Sequence, residues 1–210
     1  VTGVQTCALP ISGKYCWLFS DDDLLVPGAI SSVIDALRTE PEFLVVNSSI
    51  HTKNFKNVLS ERILNEHNDK IYDCNGDQAF LELGSYLSFI GAIVVKREFW
   101  LSRERSIYHG SAFAHLGVLF QSPVPSQIKL LASPFIKIRY GNSEWAPRGF
   151  EIWSQQWPNL VKQLTNLPAD SISVVAGSGT LGIVKFCLLY RGMGLYDLNK
   201  YKTSVKGLYS

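Results

Sequence analysis

Asp21, Asp22 and Asp23 stand together directly after the apolar run Tyr15, Cys16, Trp17, Leu18 and Phe19. Three adjacent carboxylates repel one another and are costly to desolvate, so in a cleft they require a cation, and hard oxygen ligands suit Mg2+ or Mn2+. A divalent ion held there would in turn hold phosphates. The same residues admit a second account. Ser20 and the aspartates precede a helical pattern in residues 27–37 that opens with Pro27 and Gly28, and Asp or Ser before a helix commonly caps it. Capping or solvated charge therefore stands beside metal binding as a reading of the triplet alone.

Elements must deliver these groups. The run at 15–19, bounded by polar residues, predicts a buried strand, with the carboxylates at its C-terminal end, where open α/β sheets bind ligands. Glu42, Phe43, Leu44, Val45, Val46 and Asn47 predict a second short buried strand. Residues 51–77 are polar and expected to be rich in loops with an edge segment, leaving His51 and His67 facing solvent, and 76–83 predict a short helix.

Further on, Phe150, Ile152, Trp153, Trp157, Leu160, Val161 and Leu164 recur near helical spacing, which predicts an amphipathic helix whose tryptophans serve the core. Residues 171–190 approach the ~20 residues of a membrane span, but their small residues and Lys185 favour a packed helix. The expected class is α/β, a mixed sheet followed by a C-terminal helical region.

Composition agrees with a folded chain: 46% of the 210 residues are hydrophobic, 12% aromatic and 18% charged, without low-complexity runs or repeats. A net charge of +2 is too small to argue for nucleic acid. Cys16, Cys74 and Cys187 are scattered, form no CxxC pair, and predict reduced thiols in a cytoplasmic setting rather than a disulfide framework or zinc site.

The segment from Gly13 to Ile30 joins strand, acidic turn and a Pro-Gly helix start in one continuous stretch. In this it resembles the central segment of family 2 glycosyltransferases of the GT-A fold, where a strand ends in a DxD-type motif. Residues 86–100, ending in Lys96, Arg97, Glu98, Phe99 and Trp100, look like a later strand of that family. With 110–115 and 139–145 the pattern is similar to members acting on bacterial surface polysaccharides, such as abequosyltransferase-like enzymes. The resemblance implies inverting transfer of a sugar from a nucleotide-sugar donor to a saccharide or lipid-linked saccharide acceptor, with Mg2+ or Mn2+ holding the donor diphosphate. Aligned on Pro27, the usual Asp-x-Asp-Asp falls on Ser20 to Asp23, so Ser20 replaces the first acid. The resemblance thus assigns Asp22 and Asp23 to metal and diphosphate, with Asp21 beside them.

An inverting transfer also needs a base for the acceptor hydroxyl. Where the family commonly has a Glu-Asp pair, this chain offers His115, on a helix that Ser111 could cap. His115 as base or metal ligand stands against His115 as a hydrogen-bonded structural residue. Glu98, Glu104 and His109 are the other candidates. Tyr140, Asn142 and Trp145 flank a turn at Gly141 and suit sugar stacking and hydroxyl recognition, although Trp145 would equally pack the junction with the next helix.

Residues 1–11 read as a translated sequencing adapter and are expected to be foreign to the fold, with a partial GT-A domain over 12–148 and the helical region over 149–210. The chain is then expected to begin inside its domain, lack the nucleotide-binding half and be inactive by itself. The alternative is a non-catalytic carbohydrate-binding or membrane-surface module in which the triplet only caps a helix. Arg191, Lys200, Lys202 and Lys206, interleaved with Tyr190, Tyr196, Tyr201 and Tyr209, suit peripheral association with an anionic membrane, and a solvated C-terminal helix accounts for them as well.

Overall fold

A computed structural model of the chain describes residues 12–141, 146–177 and 180–195. The expected foreign segment 1–11 and the tail beyond 195 lie outside them. In chain order the strands are β1 (Tyr15–Trp17), β2 (Leu24–Leu25), β3 (Phe43–His51), β4 (Val58–Ser60), β5 (Lys70–Asp73), β6 (Ile93–Lys96) and β7 (Gln127–Arg139). The helices are α1 (Ala29–Ala36), α2 (Gly76–Leu83), α3 (Arg97–Leu101), α4 (Ala114–Phe120), α5, α6 (Ala169–Ala176) and α7 (Thr180–Gly192). Helix α5 joins Gly149–Glu151, a wide turn over Ile152–Gln156, and Trp157–Gln163. Pro158 lacks the N–H that Ser154 would receive, which accounts for the widening just before it.

The sheet is mixed, in the order β1, β6, β3, β7, β2, with β4 on β3 and β5 on β7. Its spine is the parallel pair β3 and β7, which runs from Phe43 opposite Ile128 to His51 opposite Arg139. Because β1 is antiparallel to β6 and β6 to β3, β1 runs parallel to the spine. The C-terminal ends of β1, β3 and β7 therefore share one end of the sheet.

Both faces are covered. Phe43 and Val45 point into a core shared with Phe80 of α2, Leu116 and Phe120 of α4, Trp157 and Leu160 of α5 and Val175 of α6. Leu44, Val46 and Val94 point the other way, onto Val33 and Ala36 of α1. Two buried faces explain why these strands read as unbroken apolar runs instead of alternating ones. Helices α5 and α6 share the sheet's own core, whereas α7 packs on α5 in a separate cluster of Phe150 and Tyr190. Gly149 is required where α5 meets α7, since a Cβ there would lie 2.0 Å from the Tyr190 hydroxyl oxygen.

Several expected elements change length. Strand β3 runs on past Asn47 to His51, and β1 keeps only Tyr15–Trp17, half-buried with β6 its partner among the described residues. Of residues 86–100 only Ile93–Lys96 is strand. Tight turns over Tyr86–Ser88 and Ile90–Ala92 precede it, because the buried Tyr86 hydroxyl turns inward to donate to the Val46 carbonyl (2.7 Å) and meet Ser48 Oγ (2.8 Å). The apolar stretch 171–190 is two helices, parted after α6 by Gly177 at φ +61. Among the described residues no helix is long and apolar enough to cross a membrane.

The spine changes register once. Val46 faces Leu131 but Ser48 faces Ile136, so β7 bulges outward by several residues between them. Fully buried Asn47 fills that gap. Its Nδ2 donates to the carbonyls of Leu64 (2.8 Å) and Ala132 (2.9 Å), and its Oδ1 accepts from the N–H groups of Ser48 (2.9 Å) and Leu64 (3.0 Å). The Ala132 N–H, also displaced from the ladder, goes to Asp69 Oδ1 at 2.9 Å. Every hydrogen-bonding site of the Asn47 amide is used. Asn47→Ala orphans the buried Ala132 carbonyl and Ser48 N–H and two part-buried groups of Leu64, and is expected to lower unfolding stability by about 2–4 kcal/mol, measured as a reduced urea midpoint at unchanged slope.

Candidate functional site

The acidic turn crosses the end of the sheet from β1 at one edge to β2 beyond β7. Leu24 and Leu25 pair with Lys137 and Ile136, and the Val26 N–H extends the contact to the Phe135 carbonyl at 2.9 Å. The triplet is thereby held over the C-terminal ends of β3 and β7.

Its three carboxylates differ. Asp21 is exposed, and half-buried Asp22 accepts from the Ser20 hydroxyl. Asp23 is 7% exposed, and its Oδ1 accepts the Arg139 N–H at 2.9 Å, tying the turn to the last residue of β7. Burial pushes Asp23 up to about 6, and the charges of Asp22 and Asp21 add to the shift, while the Arg139 N–H and guanidinium oppose it.

None of the three caps α1. The helix begins at Gly28, at φ +86, with no side-chain cap, and Ser31 Oγ instead donates to the Gly28 carbonyl at 2.8 Å. A non-glycine residue would be strained at that φ. The capping account of the triplet is overturned for this helix.

As to metal, no three His, Cys, Asp or Glu side chains converge to hold an ion among the described residues. Magnesium, however, is commonly bound through one or two carboxylates plus substrate phosphates, without an all-protein cage. Asp22 and the Asp23 oxygen not bonded to Arg139 fit that arrangement.

His115 lies elsewhere in the fold. It is 3% exposed on α4, its Nε2 is 2.8 Å from the Leu87 carbonyl, and burial pushes its imidazole down to about 4. A neutral ring bonded to a core carbonyl fits the structural role of the two considered for it. Ser111 Oγ accepts the Phe113 N–H at 3.1 Å, one residue short of the helix it was expected to cap. Glu104 is also engaged, accepting from the N–H groups of Arg105 (2.8 Å) and Ser106 (2.7 Å), while Glu98 and His109 are exposed.

Tyr140 is 66% exposed just beyond β7, its N–H bonded to the His51 carbonyl at 2.9 Å. Asn142 and Trp145 lie outside the described residues. His67 is exposed as expected, but His51 is not: it is 6% exposed, with Nε2 2.9 Å from Ser49 Oγ. The signal that could have placed it is the alternation Ile136, Lys137, Ile138, Arg139, which marks a strand that β3 must meet. No protein-family model matches the chain, and no curated protein sequence matches it.

Buried His115 and Asp23 act in opposite senses between pH 4 and 6.5. His115, with a folded pKa below the ordinary 6.5, contributes stability that is present above pH 6.5 and lost as pH falls toward 4. Asp23, raised from 3.8 to about 6, makes the fold less stable as pH rises through the same range. His115→Gln is expected to remove an acid-side loss on the order of 2–3 kcal/mol between pH 6.5 and 4. Asp23→Asn, which keeps an oxygen for Arg139, is expected to steepen that loss by on the order of 1 kcal/mol. Urea titrations across that pH range read both slopes.

Proposed function

We propose that the chain is part of a glycosyltransferase of GT-A type, an enzyme that moves a sugar with inversion from a nucleotide-sugar donor to a saccharide or lipid-linked saccharide acceptor in bacterial surface polysaccharide synthesis. The observation that carries this reading is the pairing of the two stretches on which the resemblance rests. β1, which leads into the acidic turn, is hydrogen-bonded to β6, which leads into Arg97 and Glu98, with Tyr15 opposite Lys96 and Trp17 opposite Val94. They are neighbours in space although β2 to β5 intervene in sequence.

Two further features support it. The triplet stands over the C-terminal ends of parallel strands, where α/β sheets take their ligands, and it is not consumed in capping α1. The binding-module alternative, which combined a helix cap with the lack of a nucleotide-binding half, loses the capping part of its support.

In this reading Asp22 and Asp23 would hold Mg2+ or Mn2+ together with the donor diphosphate. When bound, the ion would neutralise charge developing on the leaving nucleotide. Asp23 would at the same time fix the turn to β7 through the Arg139 N–H. Exposed Tyr140 offers an aromatic face beside the same end of the sheet, suited to stacking on a sugar ring. This reading assigns His115 a structural role, supported by its burial and by the bond between its Nε2 and the Leu87 carbonyl. A lipid-linked acceptor would bring the protein to the cytoplasmic membrane face as a peripheral enzyme.

Thermal denaturation with a nucleoside diphosphate tests the site. At one hundred times Kd, Mn2+ and the nucleotide together are expected to add about 2.7 kcal/mol of stability, more than the nucleotide gives in EDTA, with the metal-dependent part of the gain lost in Asp22→Asn. A gain that Mn2+ does not increase, or a metal-dependent part that survives Asp22→Asn, would remove the triplet from the donor site.

A further inference from the structure

Four buried side-chain atoms lack a hydrogen-bond partner among the described residues: His51 Nδ1, Asp77 Oδ1, Arg103 Nε and Arg139 Nε. Two of them belong to His51 and Arg139, which face each other in the β3/β7 register at the end of the sheet that carries the triplet. An orphaned buried polar group costs about 1–3 kcal/mol, so two on facing strand positions mark a place where a partner belongs.

The chemistry of that partner follows from the donors. Ser49 Oγ is 2.9 Å from His51 Nε2 and 3.4 Å from the Ile136 carbonyl. The tautomer in which Ser49 Oγ donates to Nε2 places the ring proton on Nδ1, and that is the form of His51 that can donate to an anion. Arg139 Nε is an N–H in every state. Two N–H donors call for an acceptor with more than one oxygen.

The surroundings fix its charge. Phe55 packs on both residues, its ring 4.8 Å from the Arg139 guanidinium carbon and 6.1 Å from the His51 ring centre. It is held at φ +59, a conformation costly for an aromatic residue, by a loop whose Phe55 N–H bonds the Thr52 carbonyl at 2.8 Å. That loop carries Lys53 and Lys56, and Lys137 lies two positions before Arg139 on the same face of β7. Among the described residues none of these four cations makes an ion pair.

We propose that His51 and Arg139, backed by Phe55 and ringed by Lys53, Lys56 and Lys137, form an oxyanion site that takes a phosphoryl group without needing a metal. Arginine's planar fork suits phosphate oxygens. The anion itself rests on the geometry alone. Its identity rests on the transferase reading, in which the phosphoryl group belongs either to the nucleotide donor or to a lipid-phosphate acceptor.

Calorimetric titration of the 210-residue chain with inorganic pyrophosphate in EDTA at low salt tests it. Binding is expected, weakened at least tenfold in Arg139→Gln and at least threefold in the exposed double variant Lys53→Gln/Lys56→Gln, each checked for native circular dichroism. Asp22→Asn, which removes a nearby negative charge, is expected to bind as tightly or more tightly. Displacement of pyrophosphate by a nucleoside diphosphate assigns the site to the donor, and displacement by phosphatidic acid vesicles assigns it to the acceptor. Displacement by neither overturns the substrate assignment. Unchanged affinity in both cation variants overturns the site. Binding that appears only with Mn2+ and vanishes in Asp22→Asn also overturns it, leaving the metal site of the transferase reading intact.

Discussion

The parallel pairing of β3 with β7 is the constraint from which the rest of the architecture follows. Asn47 and Ala132, joined by one of its hydrogen bonds, are 85 residues apart in sequence, so the chain closes a long loop before the spine gives anything back. The pairing is also imperfect, since the register resets between Val46 and Ser48. A reset in a buried strand strands backbone groups that no water can reach. Asn47 answers this with an amide whose two donors and two acceptor positions match the groups set free by the bulge and by the loop at Leu64. Hydrophobic burial alone would be content with several registers. The amide is satisfied in one.

That single register has consequences at the end of the sheet. Only with Ser48 opposite Ile136 does His51 come opposite Arg139, and only then does the Arg139 N–H stand where Asp23 can accept it. The acidic turn is thus positioned by the bulge, through β2 and one carboxylate, and not by the helix that follows it. Asp23 is less a free ligand than a hinge pin with a charge. Its burial raises its pKa, an electrostatic cost that the turn carries to keep Asp21 and Asp22 outward.

Much of this was legible in the sequence where local pattern and final environment agree. The apolar run from Phe43 announced β3, the Pro-Gly start announced α1, and the stripe from Phe150 to Leu164 announced α5 with its tryptophans inward. The illegible parts are those decided by distant partners. His51 sits in a polar stretch and reads as solvent-facing until β7 is laid beside it, and β7 itself is disguised by Ser133 and Pro134 at its bulge. Residues 86–100 are apolar enough for a long strand, yet the Tyr86 hydroxyl needs buried acceptors and bends the chain into turns to reach them. His115 illustrates the opposite error. Its residue type suggested chemistry as well as structure, whereas its own burial on α4 leaves it the Leu87 carbonyl.

The end of the sheet therefore carries both signs of charge on one short stretch of backbone contacts. Asp21 and Asp22 project from the turn, Arg139 and Lys137 from β7, and Lys53 and Lys56 from the loop after β3. Within an ordinary surface such groups would pair off and contribute little. Here the hydrogen bond between the two sets among the described residues runs from the Arg139 backbone to Asp23, whose charge the guanidinium over Phe55 also feels, while Asp21 and Asp22 make no ion pair with these cations. Keeping opposite charges close but unpaired, beside a strained Phe55 and two orphaned N–H groups, is a local loss that a stable core can carry. On the proposed reading, a ligand that is itself an anion accompanied by a cation would meet both halves of that arrangement at once.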